Sequence, residues 1–250
     1  MTPIITLLTD FGTADGYVGE IKGVLLTAVP GATIVDISHD VPAHDVEMGR
    51  LTLARYWRRF PPGTVHLAVV DPGVGSARPA LAIASGDHYL VGPDNGLLSP
   101  ALLIGGARAV ALMVPSRASP TFHGRDVFAP AAARLAQGAG VETLGPPATD
   151  PVIRRTPEPH RGARGELVGE VIAIDRFGNA ITNLMGMRET RAERLEVRGR
   201  VIPLRRTYAE LDSGDAGAVV GSTGLIEIVV REGRAADVLS LARGTEVVLR

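Results

Sequence analysis

The stretch Ile4-Ile5-Thr6-Leu7-Leu8-Thr9-Asp10-Phe11-Gly12 sets the reading of the rest of the chain. Residues 4–8 are a short, nearly continuous apolar run, the pattern of a strand covered on both faces. The run ends in a polar loop containing a glycine. The next segment is helical: in 18–29, Ile21, Val24, Leu25 and Ala28 recur on one face, and Pro30-Gly31 stops the pattern. A second strand is expected over 33–37. A second helix is expected over 45–60, with Met48, Leu51, Leu53, Ala54 and Trp57 on its apolar face and Pro61-Pro62-Gly63 as the break. A third strand over 64–70 runs into Asp71-Pro72-Gly73-Val74-Gly75. Strand–helix–strand alternation of this kind indicates an α/β layer with a largely parallel sheet. Further runs over 81–85 and 88–91 are close enough to form a hairpin, so the sheet is expected to be mixed. Residues 127–136 read as the last helix of this region.

Near residue 145 the composition changes. Leu144-Gly145-Pro146-Pro147 and the proline-dense stretch from Pro151 to Pro159 mark a boundary. Beyond it the pattern is all strand, at 166–175, 180–184, 194–197, 201–203, 218–221, 225–230 and 245–249, with turns at short intervals, as in a small barrel or sandwich. The expected organisation is an N-terminal α/β domain over 1–150, a linker over 151–164 and a C-terminal all-β domain over 165–250.

Composition excludes several classes of function. Of 250 residues, 45% are hydrophobic and the net charge is -1, values unsuited to a disordered chain. The 26 basic against 27 acidic residues leave no basic excess, so nucleic acid is not an expected partner. Without cysteine there are no disulfides, thiolate metal sites or cysteine nucleophile. The most apolar later stretch, 101–114, is interrupted by Gly105, Gly106 and Arg108 and falls short of the roughly 20 residues a membrane span needs. The N-terminus has no basic, leader-like region. No membrane partner is expected, and the default location is cytoplasmic.

Polar clusters fall at the ends of the expected strands, where open α/β sheets bind ligands. Asp10 and Asp15 flank the first loop; Asp36, His39, Asp40, His44 and Asp45 come after the second strand; Asp71 opens the third loop, with Arg78 seven residues on. For any single aspartate, turn formation is an equally good explanation. Asp10-Phe11-Gly12 lacks the surroundings of a kinase metal triplet, Gly73-x-Gly75 lacks the third glycine of a dinucleotide fingerprint, and no G-x-S-x-G elbow is present. The spread of histidine and aspartate over 36–45 lacks compact metal-ligand spacing, so no metal is expected. In the second region, Asp175-Arg176-Phe177-Gly178-Asn179 reads as a turn with Gly178 at positive φ, and Gly221-Ser222-Thr223-Gly224 as another.

Taken in order, these strings resemble the S-adenosyl-L-methionine (SAM) hydrolase family, also called SAM hydroxide adenosyltransferases, which is related to fluorinase and chlorinase. The resemblance runs through Leu7-Leu8-Thr9-Asp10-Phe11-Gly12, Asp15-Gly16-Tyr17-Val18, Val70-Asp71-Pro72-Gly73-Val74-Gly75-Ser76-x-Arg78 and Gly92-Pro93-Asp94-Asn95-Gly96. It continues through Thr121-Phe122-His123-Gly124-Arg125-Asp126, Asp175-Arg176-Phe177-Gly178-Asn179 and Ser222-x-Gly224-x-Ile226-Glu227-Ile228. It implies an α/β domain followed by a small β-barrel, assembled as a homotrimer with each ligand between the N-terminal domain of one subunit and the C-terminal domain of the next. It also implies hydrolysis of SAM to adenosine and L-methionine, without metal or other cofactor, by in-line attack of water on ribose C5′. Asp71, Arg78 and His123 match the hydrolytic triad. Asp10 matches the residue on the ribose hydroxyls, and Asn179, Ser222, Glu227 and Val230 match the nucleoside pocket. Tyr208 matches an aromatic on adenine, and Asp15 and Asp175 match carboxylates near the methionine amino group. Halogenating relatives have neither the carboxylate at 71 nor the histidine at 123. They place a tryptophan where His44 stands and an arginine where Thr223 stands. Two other readings stay open at this point: a metal-dependent nucleotide phosphohydrolase using Asp10 and Asp71, and a SAM- or adenosine-binding module without catalysis.

Overall fold

A computed structural model describes residues 2–186 and 193–250. The chain separates into two compact units, Met1–Arg155 and Thr156–Arg250.

The first unit is built on β1 (Ile4–Thr9), α1 (Tyr17–Ala28), β2 (Thr33–Ser38), α2 (Val46–Tyr56), β3 (Val65–Val69), β4 (Ala80–Ser85), β5 (His88–Pro93), α3 (Ser99–Leu102), β6 (Arg108–Leu112) and α4 (Ala129–Ala136). Its sheet has six strands in the order β2-β1-β3-β5-β4-β6. The first four are mutually parallel, whereas β4 is antiparallel to β5 and to β6. The sheet is therefore mixed, as the hairpin spacing after residue 80 predicts. Strand β6 went unread in the sequence because its residues lie inside a glycine-broken apolar stretch without clear alternation. The expected helix over 45–60 is divided. Asp45 caps α2 by accepting from the Met48 N–H at 2.9 Å, and the last turn, Trp57–Arg59, tightens to a 3-10 helix.

Period-2 alternation sorts the strand side chains into two layers. Ile5, Leu7, Leu67 and Val69 face the layer of α1 and α4, while Leu8, Ala68 and Val70 face that of α2. The chain leaves β1 for β2 on one side and returns to β3 on the other. The strand order thus reverses between β1 and β3, the place where open α/β sheets bind ligands at the carboxyl ends of their strands. Asp10 comes directly after β1 and Asp71 lies just beyond β3.

The second unit contains β7 (His160–Arg161), β8 (Leu167–Ile174), β9 (Ala180–Met185), β10 (Arg194–Val197), β11 (Arg200–Arg205), β12 (Ala216–Val220), β13 (Leu225–Val230), α5 (Ala235–Val238) and β14 (Glu246–Leu249). Strands β14-β10-β11-β12-β13-β9-β8 are neighbours in that order, and pairing of β14 with β8 closes them into a seven-stranded barrel. Between the barrel and sandwich left open by strand spacing, that pairing decides for the barrel. Its interior is filled by Val171, Leu184, Leu195, Val197, Ile226, Ile228, Val247 and Leu249, among others. No helix among the described residues is long and apolar enough to cross a membrane.

Candidate active site

In the first unit the loop after β3 places Asp71 and Arg78 against each other. Arg78 Nε donates to Asp71 Oδ1 at 3.0 Å and Arg78 Nη2 donates to Asp71 Oδ2, a two-pronged ion pair. The same Nη2 lies 3.2 Å from His123 Nδ1, and Nη1 donates to the Pro79 carbonyl at 2.7 Å. The guanidinium also lies over the Phe128 ring, 5.4 Å from its centroid. Only 5% of the Asp71 side chain and 9% of the Arg78 side chain are exposed, so both charges are largely withdrawn from water. Burial pushes the Asp71 carboxyl above its usual range, and the Arg78 guanidinium opposes that shift. Burial also pushes the His123 imidazole below its usual range, and the Arg78 charge adds to the effect. A guanidinium has no acceptor, so Nδ1 of His123 must accept; the ring is then neutral and carries its proton on Nε2.

Local structure fixes these positions. The Asn95 side-chain amide donates to the Val70 carbonyl at 2.8 Å and holds the end of β3 just before Asp71. The Ser76 hydroxyl donates to Gly73 O at 2.6 Å and accepts from the Arg78 N–H at 3.2 Å, which curls the loop so that Arg78 turns back on Asp71. Gly75, at φ 77°, brings the loop against the segment leading to His123: a Cβ there would lie 2.4 Å from the Pro120 carbonyl oxygen. Residues Gly124–Phe128 form one π turn leading into α4; such turns frequently mark functional sites. Asp126 Oδ2 accepts from the Ser119 N–H at 2.8 Å, and Arg125 joins Asp126 to Glu20 of α1. The rings of Phe11, Tyr17 and Phe122 meet edge to face, with Phe11 next to Asp10 and Phe122 next to His123.

Asp10 lies at the carboxyl end of β1, where its Oδ2 accepts from the His44 N–H at 2.8 Å. His44 is held at φ 67°, a conformation uncommon outside glycine. Asp15 is exposed in the loop before α1. Among the described residues no hydrogen bond joins Asp10 or Asp15 to the Asp71–Arg78–His123 chain.

The remaining candidate substrate-binding residues lie in the second unit. Asp175 closes a tight turn: its Oδ1 accepts from the Asn179 N–H at 2.8 Å and its Oδ2 from the Asn179 amide at 3.0 Å. Gly178 within the turn has φ 85°, as the turn reading expects, and a Cβ there would collide with Arg234 at 2.7 Å. A cavity of about 610 Å³ opens beside this turn, lined by Phe177, Asn179, Tyr208, Val230 and the 231–234 segment. The Tyr208 hydroxyl donates to Glu227 Oε2 at 3.4 Å, and burial together with the Glu227 charge raises the phenol above its usual range. Ser222 and Thr223 lie in the turn between β12 and β13, outside the cavity lining. Phe177, 74% exposed on the cavity rim, was given no role in the sequence beyond its place in the turn motif. An aromatic inside a turn motif is its one sequence signal, and only the tertiary structure shows that the ring has no core to enter. Phe128, under the guanidinium, was likewise read only as part of a helix.

Fold and site together define a two-unit α/β and β-barrel protein with a buried carboxylate–guanidinium–imidazole chain at the switch point of its sheet. Residues 5–145 match the N-terminal domain of the SAM hydroxide adenosyltransferases, and residues 169–248 match their C-terminal domain. The chain belongs to that family. It is 42% identical to a protein of Thermus thermophilus named (R)-S-adenosyl-L-methionine hydrolase, over 99% of each chain. It is 41% identical to a protein of the same name from Salinispora tropica, over 97% of this chain and 96% of that one. A solved structure of an uncharacterized conserved protein from Thermotoga maritima superposes with a TM-score of 0.88 at 33% identity, covering 98% of this chain and 99% of the other.

Proposed function

We propose that this protein hydrolyses S-adenosyl-L-methionine to adenosine and L-methionine, with Asp71, Arg78 and His123 holding the attacking water. The observation that supports this most is the single guanidinium that binds both carboxylate oxygens of Asp71 and the Nδ1 of His123 in a largely buried place.

The chemistry suits those groups. Water oxygen bonds to ribose C5′ as the C5′–S bond breaks, and sulfur takes the electron pair and leaves as the neutral thioether of methionine. A neutral leaving group requires neither a general acid nor a metal. The remaining task is to orient one water, and positioning of this kind can be worth several kcal/mol, up to roughly 7–11 in ideal cases. In the proposed arrangement His123 donates from Nε2 to the water oxygen and Asp71 accepts one water proton. The oxygen lone pair left over is aimed at C5′. Arg78 keeps Asp71 ionised despite burial and sets the direction of both partners. The proton passes from Asp71 to solvent after turnover.

Asp10 would hold the ribose diol and Asp15 and Asp175 the cationic ammonium of the methionine end. Tyr208, Asn179, Ser222, Glu227 and Val230 would form the nucleoside side. The exposed rings of Phe177 and Tyr208 beside a cavity support a flat, apolar occupant such as adenine. A magnesium-dependent phosphohydrolase fits less well, because the Arg78 cation already occupies both Asp71 oxygens. The proposed assembly is a homotrimer, with each substrate bound by the first unit of one subunit and the second unit of another. Incubation with SAM in ¹⁸O-water, followed by mass spectrometry, tests the reaction. Label is expected in adenosine and absent from methionine; absence of adenosine, or failure after treatment with a chelator, rejects the reading.

A further inference from the structure

We propose that His39 is a positioning residue for Asp10, acting through Thr9. This inference rests on the reading of Asp10 as the ribose-binding carboxylate. His39 lies just after β2, 6% exposed. Its Nδ1 is 2.8 Å from the Thr9 hydroxyl, which also accepts from the Phe11 N–H at 3.3 Å. Thr9 and Phe11 flank Asp10 in sequence, so the threonine oxygen closes a small turn around the Asp10 backbone. On its other side, His39 Nε2 lies 3.1 Å from Asp36 Oδ1, at ion-pair distance. Asp36 Oδ2 is bound at 2.6 Å by Lys22 of α1, the single lysine of the chain.

One arrangement of protons agrees with all of these contacts. A carboxylate facing Nε2 favours a hydrogen there, because a bare nitrogen lone pair at that distance would be repelled. Nδ1 is then the acceptor, and the buried Thr9 hydroxyl has an outlet for its own proton. The direction of donation therefore runs from the Phe11 amide to Thr9, from Thr9 to His39, and from His39 toward the Asp36 carboxylate that Lys22 keeps ionised. Lys22 and the His39 contact hold the Asp36 carboxyl below its usual range against the opposing effect of burial. Two backbone bonds run beside this chain, from the Gly12 N–H to His39 O at 2.8 Å and from the Val41 N–H to Thr9 O at 3.4 Å. The Asp10 turn is thus tied to the segment after β2 by backbone and side chain together. Of these ties, only the one through the His39 ring reaches Asp36.

A displaced Asp10 should weaken everything that contains the ribose, substrate and product alike, and leave the chemical step nearly unchanged. Calorimetric titration with adenosine and steady-state kinetics with SAM test this. For His39→Ala, the adenosine Kd and the SAM KM are both expected to rise about tenfold, with kcat changed less than about threefold. Thr9→Val should reproduce the effect, and the double variant should be no worse than either single one, since both break one chain. His39→Asn, whose amide oxygen can accept from Thr9 where Nδ1 did, should restore most of the affinity. An unchanged Kd in His39→Ala, additive losses in the double variant, or no rescue by asparagine would each overturn the proposal. In the wild-type protein, histidine ¹H–¹⁵N spectra need no substrate and no folded variant: the His39 ring hydrogen is expected on Nε2, and a hydrogen on Nδ1 contradicts it. Wild-type protein that neither binds adenosine nor consumes SAM would instead sink the nucleoside reading of Asp10.

Discussion

Arg78 serves Asp71, His123 and the Pro79 carbonyl with one planar guanidinium, so a change at either side chain alters the other. If Asp71 lost its partner it would be a buried carboxylate without compensation and would protonate. If His123 were protonated it would present an N–H to a guanidinium that has only N–H groups to offer. Asp71→Ala should nearly abolish kcat while SAM binding stays within about tenfold, the pattern of a group used chiefly in the transition state; an unchanged kcat refutes the assignment. The pH profile should be level through neutrality and fall on the acid side. Because the His123 imidazole is held below its ordinary value, it remains neutral and catalytically competent until the pH drops beneath the usual histidine range. Protonation then breaks its bond from Arg78. Measured kcat/KM between pH 4 and 8 checks this, and an acid limb at or above the ordinary imidazole value is the contrary result.

At the scale of elements, the approach of the loop after β3 to the segment before His123 depends on one missing side chain. Gly75→Ala would put a methyl group 2.4 Å from the Pro120 carbonyl in a backbone conformation already unfavourable to alanine. The two segments must then separate. A displacement near 1 Å can cost on the order of 100-fold in rate, so kcat should fall by at least tenfold while the rest of the fold stays intact by circular dichroism. Strand β3 carries a second test, remote from the proposed chemistry. His66 is fully buried, bonded through Nδ1 to Thr6 at 2.9 Å and facing His88 at 3.3 Å, within a ring cluster of Tyr56, Trp57 and Phe60. Burial lowers its pKa to about 3. The unfolded chain takes up a proton near the ordinary value of about 6.5 and the folded chain does not, so stability is full above that value and declines as pH falls toward 3. The slope from this one group is about 1.4 kcal/mol per pH unit. Urea unfolding at pH 6 and pH 5 should show it, and His66→Phe should flatten it.

For the whole molecule, the proposed trimer places complementary half-sites on different subunits. Light scattering should give about three times the chain mass of 26.2 kDa. Asp71→Ala protein and Asn179→Ala protein, each inactive alone, should recover activity when unfolded together and refolded as a mixture. Some interfaces would then pair two undamaged halves. No recovery from mixed trimers would place both halves of each site in one subunit.

Much of this architecture could be read from the chain directly. Alternating short apolar runs and 3.6-residue periodicity specify strands and helices, because side-chain direction is set by local backbone geometry. The glycine- and proline-bearing ends of those runs mark where polar residues gather, so Asp10, Asp71 and the Asp175 turn stand out as candidate residues in the sequence alone. The motif order across 250 residues points to the family. Other features are not local. Pairing of β14 with β8, which decides for a barrel over a sandwich, joins residues 246–249 to residues 167–170. The contact of Arg78 with His123 spans 45 residues and that of Thr9 with His39 spans 30. Whether Phe177 packs inward or stands exposed depends on neighbours that no sequence window contains. Periodicity and turn chemistry act over a few residues. Ring closure, tautomer choice and burial are set by groups that meet only when the chain folds, so those features were decided by the tertiary structure alone.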